Sequence, residues 1–403
     1  MKVTAQTAWP EPLGDAYYSV PIGYLRAAGI VGVVAVHSVL AYCSFVPPQQ
    51  SFLGAKSEAW QAYPIVDGRR WAGFDPIVGF TDPFAMSLLF FLSGMFVWES
   101  LQRKGSDRFV RDRMIRLGVP FVFASIFLSP LAYFPTYLAS SRHTNLGAFI
   151  KAWLSYPVWP IGPAWFLWVL LTFDCLAAGV FVIVPGWCDL PVRSRHGVFR
   201  RPALFFWTLV GVTGVAYLPM VLAFGPARWS GFGPFSFQTS RLLHYAIWCL
   251  AGVFTGAYGL QRSVIAPNGE LARNWLRWLG WSTFLWGVLV VVAHPAITSA
   301  APSWWVAVIG MAWVLSCAAS VLFVLAVFVR FVGTRTKLLD NLRENAYGIY
   351  LTHYVFVIWL QYFLLRFAFS AVAKGAIVFA GALVLSWASV ATLRRATAIA
   401  HVI

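Results

Sequence analysis

The stretch YLRAAGIVGVVAVHSVL, residues 24–40, opens with an arginine and then runs apolar with one histidine inside it. Arg26 and His37 are eleven residues apart. At about 100° per residue, eleven steps return to within roughly 20° of the same helix face, about 16 Å further along the axis. One face of this helix therefore carries a fixed charge near one end and a titratable base about half a bilayer deeper.

The rest of the chain says what surrounds that helix. Of 403 residues 60% are hydrophobic and only 11% are charged, against about 25% charged in a soluble domain. The chain reads as an all-α polytopic integral membrane protein. Its apolar runs predict ten transmembrane helices, at about 22–45, 81–101, 117–138, 163–184, 203–224, 241–260, 278–297, 304–330, 345–366 and 375–393. The net charge of +16 does not point to nucleic acid, because the basic residues fall in short clusters between apolar runs. With the N-terminus inside, the inner segments hold 21 of the 30 Lys and Arg residues and the outer ones 9. Both termini are thus expected in the cytoplasm, and the first helix as an uncleaved signal anchor. No linker divides the chain, so residues 1–403 read as one domain. It has a short cytoplasmic segment 1–21, an outer loop 46–80 and a basic inner loop 102–116. The five cysteines show no metal-type spacing and no metal site is expected.

Four groups of polar residues need an explanation. His37 comes first, because an ionisable side chain inside a span is a functional hypothesis by default. A neutral buried imidazole suits a general base that takes a proton from an incoming hydroxyl; a structural histidine or a proton pathway are the competing readings. The run RFVRDRMIRLGVP, residues 108–120, carries Arg108, Arg111, Arg113 and Arg116 to the inner membrane face. Topology accounts for part of this cluster, yet guanidinium is the preferred multidentate phosphate ligand. A cationic mouth there suits a cytosolic ligand bearing several phosphates. In ENAYGIYLTHYVFVIWL, residues 344–360, Tyr347, Tyr350 and Tyr354 form a stripe with His353 beside it. This stripe either lines a wet cavity or packs through interhelical hydrogen bonds. The loop 46–80 sets Trp60, Tyr63, Trp71 and Phe74 beside Asp67 and Asp75. Such a mixture suits sugar rings and hydroxyls, or an interfacial aromatic belt. Asp174 needs a partner or a cavity, and His244 and His294 are expected at the interface. No P-loop, dinucleotide fingerprint, H-E-x-x-H or G-x-S-x-G is present.

Taken in order, Arg26 with His37, FFLSGMFVW (90–98), Arg113 with Arg116, PAWFLWVLL (163–171) and YGIYLTHY (347–354) resemble the membrane-bound acyltransferase family 3. The resemblance covers nearly the whole chain, and its looser side touches the branch that succinylates periplasmic glucans. It implies a membrane O-acyltransferase that moves an acetyl or succinyl group from cytosolic acyl-CoA to a carbohydrate hydroxyl on the far side. His37 would then be the catalytic base, and Arg26, Arg113 and Arg116 would bind the donor. Tyr347, Tyr350, His353, Trp71, Asp75 and Trp165 are the candidate substrate contacts. Acyl-CoA is expected as a substrate rather than a resident cofactor, with a glycan acceptor and the lipid bilayer as the other partners. The expected location is the bacterial inner membrane. The rival from another class is a transporter or flippase for a polar or glycan substrate, although no paired halves with interrupted helices stand out.

Overall fold

The computed structural model describes residues 13–49, 61, 63–140, 145–187, 197–298 and 302–395. Its helices follow the apolar runs closely. They are α1 (Leu13–Leu40), α2 (Ala72–Lys104), α3 (Ser106–Ser140), α4 (Leu146–Ser155), α5 (Gly162–Ile183), α6 (Pro202–Phe224), α7 (Leu242–Tyr258), α8 (Trp275–Thr298), α9 (Ser303–Phe331), α10 (Lys337–Leu364) and α11 (Ala371–Leu393). Among the described residues eight of these are long and apolar enough to cross a membrane. The two other segments expected to span are helical as well. α7 has 17 residues, about 26 Å of helix, and α10 begins with Lys337, Asp340, Arg343 and Glu344 before its apolar part.

Parts of two expected loops are helical. The second half of 46–80 starts α2 at Ala72, where Pro76 sits in the first turn of Asp75–Thr81, a position in which its missing N–H costs nothing. The stretch 102–116 is two helices meeting at Gly105, whose φ of 76° is a conformation that favours glycine. A hairpin of β1 (Trp229–Phe232) and β2 (Phe235–Gln238) fills the connection between α6 and α7. It takes the indole N–H of Trp168 on the Ser236 carbonyl at 2.9 Å.

The helices pack through small residues and through carbonyls that proline sets free. α2 and α7 approach backbone to backbone. A Cβ at Gly94, Gly252 or Gly256 would run into the carbonyl oxygen of Cys249, Phe91 or Met95 respectively. This is the small-xxx-small device of membrane helix pairs. Gly252→Leu is expected to destabilise the fold by at least the 1–3 kcal/mol or so typical of overpacking, read as a lower unfolding temperature in detergent. A wild-type midpoint would show that the two helices can separate freely.

α3 is irregular, with π turns at Met114–Gly118 and Ala124–Leu128. Pro120 and Pro135 cannot donate to the carbonyls four residues earlier, those of Arg116 and Leu131. α10 supplies both missing donors. The Tyr347 hydroxyl donates to the Arg116 carbonyl, and the Trp359 indole donates to the Leu131 carbonyl at 3.0 Å. α10 is thus fixed to α3 at two heights. It is also fixed to α1: the Tyr24 hydroxyl donates to Asp340 Oδ1 at 2.9 Å, and the Gln361 amide donates to the His37 carbonyl at 2.9 Å. These ties set the register in which α1, α3 and α10 present their polar side chains.

Candidate active site

His37 and His353 meet at the contact of α1 with α10. Their Nδ1 and Nε2 atoms are 3.0 Å apart. His353 is fully buried, whereas His37 is only partly buried. On its other edge His353 places Nδ1 2.7 Å from the Tyr350 carbonyl. The Tyr354 ring stands edge-on to His37, with centroids 5.2 Å apart. Its hydroxyl lies 3.3 Å from that of Tyr133. Gly162 makes room for that ring: its φ is +55°, and a Cβ would sit 2.6 Å from Tyr354 Cε1. Tyr354 also lines a small, mostly apolar groove with Ala124, Leu128, Ile161 and Pro163, into which the second π turn of α3 opens.

Eleven residues before His37, near the middle of α1, Arg26 is exposed and its guanidinium lies over the Phe96 ring at 5.5 Å. Arg113 reaches Asp174, Nε to Oδ2 3.1 Å, and this carboxylate is 1% exposed, which supplies the partner that Asp174 needs inside a span. Among the described residues no carboxylate forms an ion pair with Arg26. Arg116 lies on the first π turn and is exposed, so the structure turns Arg113 inward and Arg116 outward rather than aligning them on one face. Arg343 was not singled out in the sequence, yet its side chain lies across Gly23, three residues from Arg26.

The remaining candidates are placed as follows. The Tyr347 and Tyr350 hydroxyls are both used within the bundle, on the carbonyls of Arg116 and Pro163. Trp165 is buried among Phe90, Trp229 and Tyr245. Trp71 is 45% exposed against Phe74. Asp75 accepts from the backbone N–H of Ser44 at 2.8 Å and from its hydroxyl, which ties α2 to the end of α1. Trp60 lies outside the described residues. His244, expected at the interface, is instead fully buried: its Nε2 accepts from the Trp248 indole at 3.0 Å and lies 3.1 Å from the Ser87 hydroxyl. Trp248, one turn further along α7, and Ser87 on α2 make that burial tolerable; the second of these partners is not revealed by sequence position. His294 is exposed.

His37, paired with His353 of α10, and Arg26, eleven residues earlier on the same helix α1, can together hold an anionic head at one place and move a proton about half a bilayer away. No curated protein matches the chain, and no solved structure does. The acyltransferase 3 family model, described as an acyltransferase domain, matches residues 22–391, nearly the whole chain. Together with the apolar helix bundle, that match places the protein in the acyltransferase 3 family, as an integral membrane acyltransferase.

Proposed function

We propose that this acyltransferase takes its acyl group, acetyl or succinyl, from cytosolic acyl-CoA and places it on a hydroxyl of an extracytoplasmic carbohydrate, in a bacterial inner membrane. The observation that carries the reading is the α1 pairing: His37 is partly buried and hydrogen-bonded, and Arg26 lies on the same face without a carboxylate partner among the described residues. Coenzyme A has a strongly anionic head with a diphosphate and a 3′-phosphate. Arg26, Arg113 and Arg116 would hold that head, and the pantetheine arm would carry the thioester along α1. The helical rise of about 16 Å between Arg26 and His37 is of the order of that arm's length. His37 would take the proton of the acceptor hydroxyl as its oxygen attacks the thioester carbonyl. The C–S bond then breaks, and the thiolate leaves with the proton that His37 returns to it. Ten spans with both termini in the cytoplasm fit this direction of transfer.

Purified protein incubated with acetyl-CoA or succinyl-CoA should release free thiol, faster in the presence of a glucan oligosaccharide. Donor affinity measured on Arg113→Lys and Arg116→Lys tests the phosphate role. Guanidinium grips phosphate with two parallel hydrogen bonds that an ammonium cannot reproduce. Charge-assisted bonds of about 1.5–3 kcal/mol make the expected loss roughly tenfold or more per variant. Wild-type affinity in both lysine variants would remove the phosphate role, leaving Arg116 a topological role and Arg113 its ion pair with Asp174.

A further inference from the structure

We infer that His353 is a positioning residue: it sets the tautomer of His37, so that Nε2 of His37 is the atom that takes the acceptor's proton. This rests on the proposal that His37 is the base, and it names the atom and the device behind it.

The direction of each proton follows from the partners. Nδ1 of His353 faces the Tyr350 carbonyl at 2.7 Å, with the Ile349 carbonyl at 3.3 Å. A carbonyl oxygen only accepts, so Nδ1 of His353 carries a hydrogen. His353 is fully buried in the bundle, where a second proton would place a charge in the membrane interior, and that is costly. Its Nε2 is therefore a lone pair. That lone pair meets Nδ1 of His37 at 3.0 Å. Two lone pairs cannot share that distance, so His37 carries its hydrogen on Nδ1 and donates it. Nε2 of His37 is left bare.

Ring geometry supports an in-plane bond. The ring planes differ by 17° and the centroids are 5.3 Å apart. The 3.0 Å N···N separation and the distance from each nitrogen to its ring centre account for nearly all of the 5.3 Å. The rings meet edge to edge, not face to face.

The arrangement is a chain of three: backbone carbonyl of Tyr350, His353, His37. It does what a carboxylate does for a catalytic histidine elsewhere, holding the ring and its tautomer, but with a neutral partner that a membrane interior tolerates. When Nε2 of His37 takes the proton, the cationic ring still donates Nδ1–H to His353, and the Tyr350 carbonyl dipole lies behind it. His353 itself is too buried to touch substrate. Its own register is fixed by the Tyr350 hydroxyl on the Pro163 carbonyl and by the two ties of α10 to α3.

Two variants and one spectrum test this in the full chain. His353→Leu removes the acceptor for Nδ1–H of His37. His353→Gln keeps an acceptor oxygen near the position of Nε2. Thiol release from acetyl-CoA and succinyl-CoA, with a glucan oligosaccharide present, should show kcat lower by about 10²-fold or more in His353→Leu. Donor KM should stay within about twofold, and His353→Gln should recover tenfold or more of the loss. A merely structural role would lower donor affinity with kcat and give no selective rescue by glutamine. Equal impairment of Leu and Gln, or wild-type kcat in a folded His353→Leu protein, overturns the proposal. The spectrum requires no turnover: ¹⁵N-histidine labelling in nanodiscs should report His37 as protonated on Nδ1 and bare on Nε2. The opposite tautomer overturns the proposal whether or not His37 proves to be the base. Near-normal turnover by His37→Ala would instead defeat the base reading and leave the tautomer result standing.

Discussion

His37→Ala is expected to lower acyl transfer by about 10²- to 10⁴-fold, the usual weight of a general base, while the protein still inserts and folds. The ring contributes few structural contacts that alanine would lose. It makes one side-chain hydrogen bond, to His353, and one edge contact, to Tyr354, and it is only partly buried. α1 is held to α10 by bonds that do not use the imidazole: the Tyr24 hydroxyl to Asp340 and the Gln361 amide to the backbone carbonyls of His37 and Ser38. Donor binding at Arg26, about 16 Å away along the helix, should therefore survive. The check is a pair of measurements on one preparation, acyl-CoA affinity and thiol release. Retained affinity with lost turnover supports the base. A folded variant with near-normal turnover sinks the assignment and moves attention to Tyr354.

The contrast between what the sequence tells and what only the fold tells is sharp along α10. Helical stretches and their order were legible, because an apolar run long enough to cross a bilayer has few alternatives. Arg26 and His37 were legible as a pair, because both lie on one helix and its period relates them. The stripe of Tyr347, Tyr350 and Tyr354 with His353 beside it was legible as unusual but not as to purpose. Its partners lie on α1, α3 and the turn before α5, and no local pattern encodes which helix faces which. The structure assigns the Tyr347 hydroxyl to the carbonyl freed by Pro120 and His353 to His37. Proline was the available signal: each proline inside a span frees a carbonyl, and Tyr and Trp donors elsewhere can be sought to match. The same limit hid Arg343, which joins the Arg26 end of the bundle through the close pass of α10 over Gly23. Gly252 and Gly256 were not singled out either; four residues apart in an apolar run, they were the available signal of a close helix contact, though not that its partner is α2 beside Gly94.

The charge pair by the C-terminal end of α1 carries the other large expected effect. Lys374 on α11 and Asp67 are 2.5 Å apart, Nζ to Oδ2, with side chains only 1% and 5% exposed. The second oxygen of Asp67 takes the Arg69 backbone N–H at 2.7 Å, and the Asp67 backbone N–H donates to the Ala41 carbonyl at 3.1 Å. Two residues of the same segment repeat the pattern. Arg70 donates to the Val46 carbonyl at 2.6 Å, and the Trp71 N–H donates to the Tyr42 carbonyl at 2.9 Å. The segment 67–71 is thus laid over the end of α1, one turn beyond His37, with the ion pair as its anchor to α11. Removing one member of a buried pair leaves an uncompensated charge and typically costs about 3–5 kcal/mol, whereas replacing both by apolar groups is often close to neutral. Lys374→Met and Asp67→Leu are each expected to lower the unfolding temperature in detergent markedly, and the double variant to recover most of the loss. Because the segment borders the side from which the proposed acceptor arrives, the single variants should also depress acceptor-stimulated thiol release more than acyl-CoA affinity. Single variants as stable as wild type would mean that water reaches the pair, and the segment would then be held by the hydrogen bonds that the Asp67 and Trp71 backbone N–H groups and the Arg70 guanidinium donate to carbonyls of residues 41–46.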